Sequence, residues 1–179
     1  MREFARKSEM DLEPVQVNEV LERSFDIFRQ QLKVRGIELV WESQDDLPKI
    51  LADPGRLEQV FINLLVNARD AIEKKWESEG ATSEDDKIMV KTRKKGQAVV
   101  VELSDTGLGI PASIMEKIFE PFFTTKEVGK GTGLGLSISY GIIKECGGNI
   151  RVAPMKGEGA HFIITFPIEK GSRKIETSL

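Results

Sequence analysis

Four polar side chains recur along one edge of a predicted helix in the middle of the chain. When rotation about the helix axis is set to 0° at Leu57 and 100° is added per residue, four polar side chains cluster at about 200–280°. They are Gln59, Asn63, Asn67 and Asp70. A neutral Asn oxygen suits Mg²⁺ coordination, because it leaves intact the phosphate charge that the ion must bridge. The alternative is that Asn63 and Asn67 only hydrogen bond the neighbouring backbone.

The same helix, predicted over residues 54–76, carries a broad apolar face. The residues that fall within about 140° of one another are Leu57, Val60, Phe61, Leu64, Leu65, Ala68, Ala71 and Ile72. Asp53 and Pro54 supply a helix cap and a favourable first residue. Glu58 is a base by residue type, but it projects about 180° from Asn67 and is interpreted as a solvated or subdomain-facing charge.

Residues 129–136 place four glycines at alternate positions directly before a second predicted helix. Unblocked N–H groups at a helix N-terminus form an anion site, which side chains would obstruct. Lys130 and Thr132 could add contacts to a bound phosphate. A plain linker would not require an amphipathic helix immediately after it, so the pattern predicts phosphate binding.

Residues 105–110 hold a second glycine-containing turn, at the end of a strongly apolar strand. The carboxylate of Asp105 could accept a hydrogen bond from an amine there. Gly107 and Gly109 would let the chain approach a flat ligand. The alternative is an ordinary turn that begins at Asp.

The segment between these two turns contains Phe119, Phe122 and Phe123 beside Pro121. The default interpretation is that these aromatic residues belong to the core. Flanked by glycine-rich stretches, they could instead form a hydrophobic latch for a mobile lid. Lys126 would then lie within reach of the phosphates.

The elements that must position these residues follow from periodicity and turn signals. Helices are predicted over residues 17–35, 54–76 and 134–146, with a short helical patch at 112–117. Strands are predicted over residues 37–41, 50–52, 87–93, 97–104, 149–153 and 160–167. Mixed helices and strands with late hairpins indicate an α+β sandwich rather than strict β-α-β alternation.

Composition excludes several function classes. The chain has 179 residues, a net charge of −3, one Cys and one His, which excludes an internal disulfide, a Cys-based zinc site and a His cluster. The charge balance favours neither nucleic acid nor a membrane surface as a partner. No apolar run reaches the roughly 18 residues of a membrane span, and the charged N-terminus resembles no signal peptide, so a cytoplasmic location is expected. No Walker-type phosphate loop or dinucleotide fingerprint is present.

The blocks described above, in this order, resemble the catalytic ATP-binding domain of sensor histidine kinases. That domain shares the Bergerat fold with gyrase, heat-shock chaperone ATPases and mismatch-repair ATPases. Residues 57–71 are similar to the N box, 105–110 to the first glycine box, 119–126 to the F box and 129–136 to the second glycine box. The form of the F box resembles nitrogen-regulation-type kinases. The resemblance implies a two-layer sandwich, in which a mixed, mostly antiparallel sheet packs on three helices.

The resemblance also implies ATP and Mg²⁺ as ligands. Asn67 would be the metal ligand, and Asn63, Asn67 and Lys126 would serve catalysis. The residues expected to contact the nucleotide are Asn63, Asn67, Asp70, Asp105, Gly107, Gly109, Ile110, Phe119, Thr125, Lys126, Lys130, Gly131, Thr132, Gly133, Leu134, Gly135 and Leu136. In hydrolytic relatives the position of Asn63 holds a Glu that activates water, and an amide cannot accept that proton. Hydrolysis is therefore expected to be poor, with the phosphoryl group kept for another acceptor.

A histidine kinase also needs a phosphoaccepting His on a helical hairpin. The single His of the chain, His161, lies in a predicted strand, so a structural role is expected for it. The expected partners are a separate dimerisation and phosphoacceptor hairpin and a response regulator. Residues 1–13 are interpreted as a linker or helix remnant, residues 14–168 as a catalytic domain and residues 169–179 as a tail. The isolated domain is expected to be a monomer, and the full-length kinase a dimer. The alternatives are a serine-directed kinase of the anti-sigma type and a non-catalytic ATP-binding or partner-binding module.

Overall fold

The structure, a computed structural model, describes residues 11–124, 134–153 and 159–170. Its helices are α1 (Val17–Arg35), α2 (Pro54–Glu79) and α3 (Gly135–Glu145). Its strands are β1 (Glu13–Val15), β2 (Glu38–Glu42), β3 (Ile50–Ala52), β4 (Lys87–Lys95), β5 (Ala98–Asp105), β6 (Asn149–Ala153) and β7 (His161–Pro167). The predicted α+β class is confirmed.

The five-stranded main sheet has the strand order β2-β4-β5-β7-β6. β2 and β4 run parallel, and every other neighbouring pair in this sheet is antiparallel. In the centre of the sheet, Val101 pairs with Thr92 on β4 and with Ile164 on β7. The predicted mixed, mostly antiparallel sheet is therefore confirmed. Since β5 is a central strand, its carboxyl end at Asp105 lies in the interior of the molecule, where Asp105 is 3% exposed.

The helices form the second layer. α1 carries apolar residues at helical spacing and ends at Gly36, which adopts the left-handed conformation that a C-cap requires. α2 packs between α1 and α3 and also contacts β4 and β5. The largest side chains enclosed between the layers include Phe25, Phe61 and Phe166, which are fully buried. Within the described residues, no helix combines the length and the apolar character needed to cross a membrane.

Three local features differ from the prediction. β1 pairs antiparallel with β3, although no strand was predicted before residue 37. α2 continues past residue 76 and ends at Gly80, which has a φ of 71°. The predicted helical patch at residues 112–117 contains one 3₁₀ turn, Ala112–Ile114. Pairing of β1 with β3 is a tertiary interaction, which explains why local patterns missed that strand.

Candidate functional site

A cavity of about 840 Å³ lies between α2, the loop after β5, the start of α3 and the ends of β6 and β7. Its polar residues on α2 and its glycine-containing segments, near residue 109 and at the start of α3, come from distant parts of the chain. The predicted site residues that line it are Asn63, Asn67, Asp70, Asp105, Gly109, Ile110, Gly135 and Leu136. The fold therefore brings the N box, the first glycine box and the end of the second glycine box to one cavity.

The position of the α2 amides depends on a well-defined helix start. Asp53 accepts hydrogen bonds from the backbone N–H groups of Gly55 and Arg56, at 3.1 and 3.2 Å. Pro54 occupies the first turn, where its missing N–H costs nothing. The cap fixes the first turn of the helix, and the buried apolar face fixes its rotation. Together they direct Asn63 and Asn67 toward the cavity.

Asn63 also connects α2 to α3. Its Nδ2 donates to the Gly135 carbonyl at 3.4 Å and to the Ser139 hydroxyl at 3.3 Å. Both contacts use the amide nitrogen, so the amide oxygen is the atom that Asn63 can offer to a ligand. Part of the alternative interpretation is therefore correct, because Asn63 does hydrogen bond a neighbouring backbone group. Asn67, one turn later, lines the cavity.

Asp105 is the buried acid of the cavity. Its Oδ1 accepts a hydrogen bond from the Gly107 N–H at 2.8 Å. Burial raises the pKa of Asp105 to about 6, although hydrogen bonds from Gly107 and Ala160 and the charge of Lys75 act in the opposite direction. A carboxylate held in an apolar, dehydrated position binds a donor such as an amine more strongly than a solvated one does.

The loop after Asp105 is packed tightly on α2 and on Gly159, just before β7. A Cβ on Gly107 would stand 2.5 Å from the Ala71 carbonyl carbon, and the Leu108 N–H donates to the Ala71 oxygen at 3.3 Å. Gly109 has a φ of 78°, and a Cβ there would stand 2.8 Å from the Gly159 oxygen. Gly107 does not line the cavity. Its lack of a side chain allows close packing on the helix, whereas Gly109 both lines the cavity and adopts a left-handed conformation.

Another part of the cavity lining is apolar. Its side chains come from the segment after the first glycine turn and from the sheet. They are Ile110, Ile114, Met115, Ile118, Val152 and Phe162. A flat aromatic ligand could bury both faces there while its polar edge reaches Asp105.

Asp70 lines the cavity beside an arginine. Arg69 donates to the Asp70 carboxylate at 3.0 Å and to the Gln31 side chain at 2.8 Å, and its guanidinium lies 5.3 Å from the centre of the Phe28 ring. This arrangement ties the border of the site to α1. Glu58, by contrast, pairs with Arg23 of α1 at 3.7 Å and does not line the cavity.

The aromatic residues of the predicted latch separate in the structure. Phe119 lies outside the cavity lining, with its ring 5.6 Å from Tyr140 and 6.4 Å from Phe162. Phe122 is 74% exposed and has a φ of 65°, whereas Phe123 lines the cavity. The default interpretation as core residues therefore fits Phe119, which packs against the core, and does not fit Phe122.

Several predicted site residues are not on the cavity wall or are not described. Leu134 accepts a hydrogen bond from the Ser137 hydroxyl at 3.0 Å at the start of α3 and, like Gly107 and Phe119, is not among the lining residues. The predicted residues that lie outside the described part of the chain are Thr125, Lys126, Lys130, Gly131, Thr132 and Gly133. Their roles stay predictions.

His161 lies on β7, where its Nε2 is 3.4 Å from Glu102 on the neighbouring strand. This position agrees with the expected strand context. Lys75 was not among the predicted site residues, and it is 7% exposed on the buried face of α2. Lys75 lies about five helical turns after Leu57, in the centre of the apolar face, and a lysine at that position is a signal that could have been found.

The residues present fit a magnesium nucleotide. The apolar wall and buried Asp105 suit a base, and the Asn63 and Asn67 amides provide oxygen atoms on one side of the cavity. Among the described residues, no group of three or more acidic, His or Cys side chains could hold a metal by itself. Mg²⁺ commonly takes few protein ligands and completes its shell with phosphate oxygens and water, so an Asn-based site requires the nucleotide.

Comparisons with known proteins agree with this description. Residues 52–170 match the model of a family described as histidine kinase-, DNA gyrase B-, and HSP90-like ATPase. Sensor kinase CckA of Brucella abortus is 43% identical over 169 residues, covering 92% of this chain and 18% of that protein. Sensor histidine kinase ZraS of Escherichia coli O157:H7 is 36% identical over 166 residues, covering 93% of this chain and 34% of that protein. The chain therefore spans about a fifth to a third of the length of these relatives.

The fold has close counterparts among solved structures. The nucleotide-free catalytic domain of histidine kinase ThkA superposes with a TM-score of 0.74 at 32% identity, over 89% of this chain and 97% of that domain. In a second structure ThkA is in complex with the response regulator protein TrrA, with a TM-score of 0.71 at 28% identity, over 93% of this chain and 44% of that chain.

Proposed function

Since the chain belongs to the histidine kinase-, DNA gyrase B-, and HSP90-like ATPase family, we propose that it binds Mg-ATP and transfers the γ-phosphoryl group to a histidine of a sensor kinase. The observation that carries this proposal is the buried Asp105 carboxylate in an apolar cavity, with Asn63 and Asn67 on the adjacent helix. Adenine can donate from its amino group to Asp105. Guanine has a carbonyl at that place, which a carboxylate repels.

Each side chain would contribute through position rather than through covalent chemistry. The apolar wall would hold the base and exclude water, and Asp105 would orient it. Asn67 would offer an oxygen to Mg²⁺, which, when bound, neutralises charge on the phosphates that react. Asn63 lies in the same stripe, and its amide has no group that could accept a proton from water. Hydrolysis is therefore expected to be slow, with the γ-phosphoryl group retained for another acceptor.

The acceptor must come from another domain or chain under this proposal. His161 is the single histidine of this sequence, and it lies on β7 beside Glu102 of the neighbouring strand β5. A dimerisation and phosphoacceptor helical hairpin supplies a histidine of the required kind, and a response regulator receiver domain would accept the phosphoryl group next. ThkA, which is similar to this chain, forms a complex with a response regulator.

The catalytic domain would be one part of a longer kinase. Residues 14–168 would form the catalytic domain, with residues 1–13 as a linker and 169–179 as a tail. The domain would act in the cytoplasm as a monomer when isolated, and as part of a dimer in the full-length kinase. Assignment to the nitrogen-regulation-type subgroup stays a prediction.

The experiment supplies the chain with γ-labelled ATP, Mg²⁺ and a separately purified phosphoacceptor hairpin from a related kinase. Acid-labile label on the histidine of the hairpin is expected. Acid-stable label on a serine of an added anti-sigma substrate would favour the serine-directed alternative. ATP binding without transfer to either protein would favour the non-catalytic module. A hairpin whose acceptor histidine is replaced by alanine is the matched control, and it should remain unlabelled.

A further inference from the structure

A buried ion pair lies directly behind the loop that carries Asp105. Lys75 of α2 and Asp86, which precedes β4, are 7% and 1% exposed. The Lys75 ammonium donates to the Asp86 Oδ1 at 2.7 Å. Neither residue lines the cavity, so the pair does not contact the proposed nucleotide directly.

Three donors from two parts of the fold, α2 and the loop after β5, surround the Asp86 carboxylate. Besides Lys75, the Trp76 indole N–H donates to its Oδ2 at 2.6 Å, and the Thr106 hydroxyl donates to its Oδ1 at 2.7 Å. Burial alone would raise the pKa of Asp86, but these hydrogen bonds and the Lys75 charge hold it below its ordinary value. Asp86 is therefore a carboxylate whose two oxygens are both engaged.

Thr106 is fixed at both of its oxygen atoms. Its carbonyl accepts from the Lys75 ammonium at 2.8 Å, and its hydroxyl donates to Asp86 and accepts from the Lys87 N–H at 3.1 Å. Thr106 lies between Asp105 and Gly107 in the chain. Its peptide groups therefore set the orientation of the Asp105 backbone and of the turn in which Gly107 donates to the Asp105 carboxylate.

A buried ion pair is a costly means of holding a loop. Replacing such a pair with apolar side chains of similar volume is often neutral or stabilising, because the desolvation penalty of both charges disappears. Stability alone is therefore a weak reason for Lys75 and Asp86. What apolar residues could not reproduce is the directed set of hydrogen bonds to Thr106.

We propose that Lys75 and Asp86 are positioning residues for base recognition, which hold Thr106 so that the Asp105 carboxylate meets the adenine edge. The inference rests on the proposed nucleotide-binding function and adds the source of its base specificity. Part of the base specificity would then come from the Lys75–Asp86 ion pair, which lies outside the cavity and does not contact the base. Loss of the pair should then affect recognition of the base and leave contacts to the phosphates unchanged.

The test compares the wild-type chain with the double variant Lys75→Met/Asp86→Leu, which removes both charges and leaves neither one buried alone. Affinities for Mg-ATP, Mg-GTP and Mg-tripolyphosphate are measured by calorimetry. We expect ATP affinity to fall about tenfold, as for loss of one well-oriented hydrogen bond to a charged group, while tripolyphosphate affinity stays within about twofold. The matched control is Arg23→Met/Glu58→Leu, an ion pair between α1 and α2 away from the cavity. It should retain the wild-type preference for ATP.

A second variant covers the case in which the double variant does not fold. Thr106→Val keeps the ion pair and removes the hydroxyl that joins it to the loop, so ATP affinity should fall about threefold with no change for tripolyphosphate. Unchanged ATP preference in the folded variants would overturn the inference, as would equal loss of ATP and tripolyphosphate binding. Absence of ATP binding by the wild-type chain would overturn the proposed function as well. If the wild-type chain binds ATP and the variants lose the preference for ATP, the result supports both the proposed function and the positioning role of the ion pair.

Discussion

Replacement of Asp105 by Asn should stabilise the nucleotide-free domain at neutral pH. Burial raises the pKa of Asp105 from 3.8 to about 6, so the folded chain holds the proton more tightly than the unfolded chain does. The stability contribution of this group is therefore complete below pH 3.8 and is lost as the pH rises through about 6. That pKa difference corresponds to about 3 kcal/mol, or about 6–12 °C in Tm for a domain of this size. This free energy is an upper value, because the residues around the ionised carboxylate can rearrange to stabilise its charge.

Asn retains an oxygen that accepts from the Gly107 N–H, as Asp105 does at 2.8 Å. Asn differs from Asp105 also in carrying a donor NH₂ group where the carboxyl group has its second oxygen, and that difference contributes at every pH. The informative quantity is therefore the change with pH in the Tm difference between variant and wild type, measured by thermal denaturation from pH 4 to 8.

We expect this Tm difference to move in favour of the variant between pH 4 and 7 and then to level off. Asp45→Asn, at an exposed position, is the matched control, because surface substitutions change stability by less than about 0.5 kcal/mol. A Tm difference that stays constant from pH 4 to 8 would refute the reasoning, because the buried carboxyl would then impose no ionisation cost.

Three further substitutions test individual contacts through the unfolding free energy. Gly107→Ala should cost more than about 2 kcal/mol, because its Cβ would stand 2.5 Å from the Ala71 carbonyl carbon, and an unchanged Tm would contradict that packing. Gly36→Ala should cost about 1 kcal/mol, because a φ of 73° is strained for alanine but no atom lies within 4 Å of the added Cβ. A loss as large as that of Gly107→Ala would contradict this difference between backbone strain alone and a steric clash. Asp53→Ala should cost about 1 kcal/mol through loss of the α2 cap, with Asp53→Asn as the conservative control, and equal losses in the two variants would argue against the cap.

Much of the frame of the site could be predicted because its signals are local. The 3.6-residue period of α2 placed Asn63 and Asn67 beside the apolar face, and Asp53 with Pro54 marked the helix start. The apolar run of β5 placed Asp105 at the end of a strand. Each of these inferences needs only neighbouring residues, whose spacing determines which face of an element they share.

The remainder depends on contacts between distant segments. The Lys75–Asp86 pair spans a helix and a loop, and its connection to Thr106 exists only once β5 and α2 are packed. The need for glycine at position 107 likewise comes from the Ala71 backbone. β1 is three residues long and contains Pro14, so its pairing with β3 leaves no periodic signal in the sequence.

The central claim, that the α2 amides and Asp105 form a Mg-ATP site, is tested most directly by calorimetric titration with ATP. The titrations use the wild-type chain, Asp105→Asn and Asn67→Asp, each with and without Mg²⁺. We expect Asp105→Asn to weaken ATP binding in both conditions and Asn67→Asp to alter mainly the Mg²⁺-dependent part of the affinity. Unchanged affinity of both variants in both conditions would contradict the account.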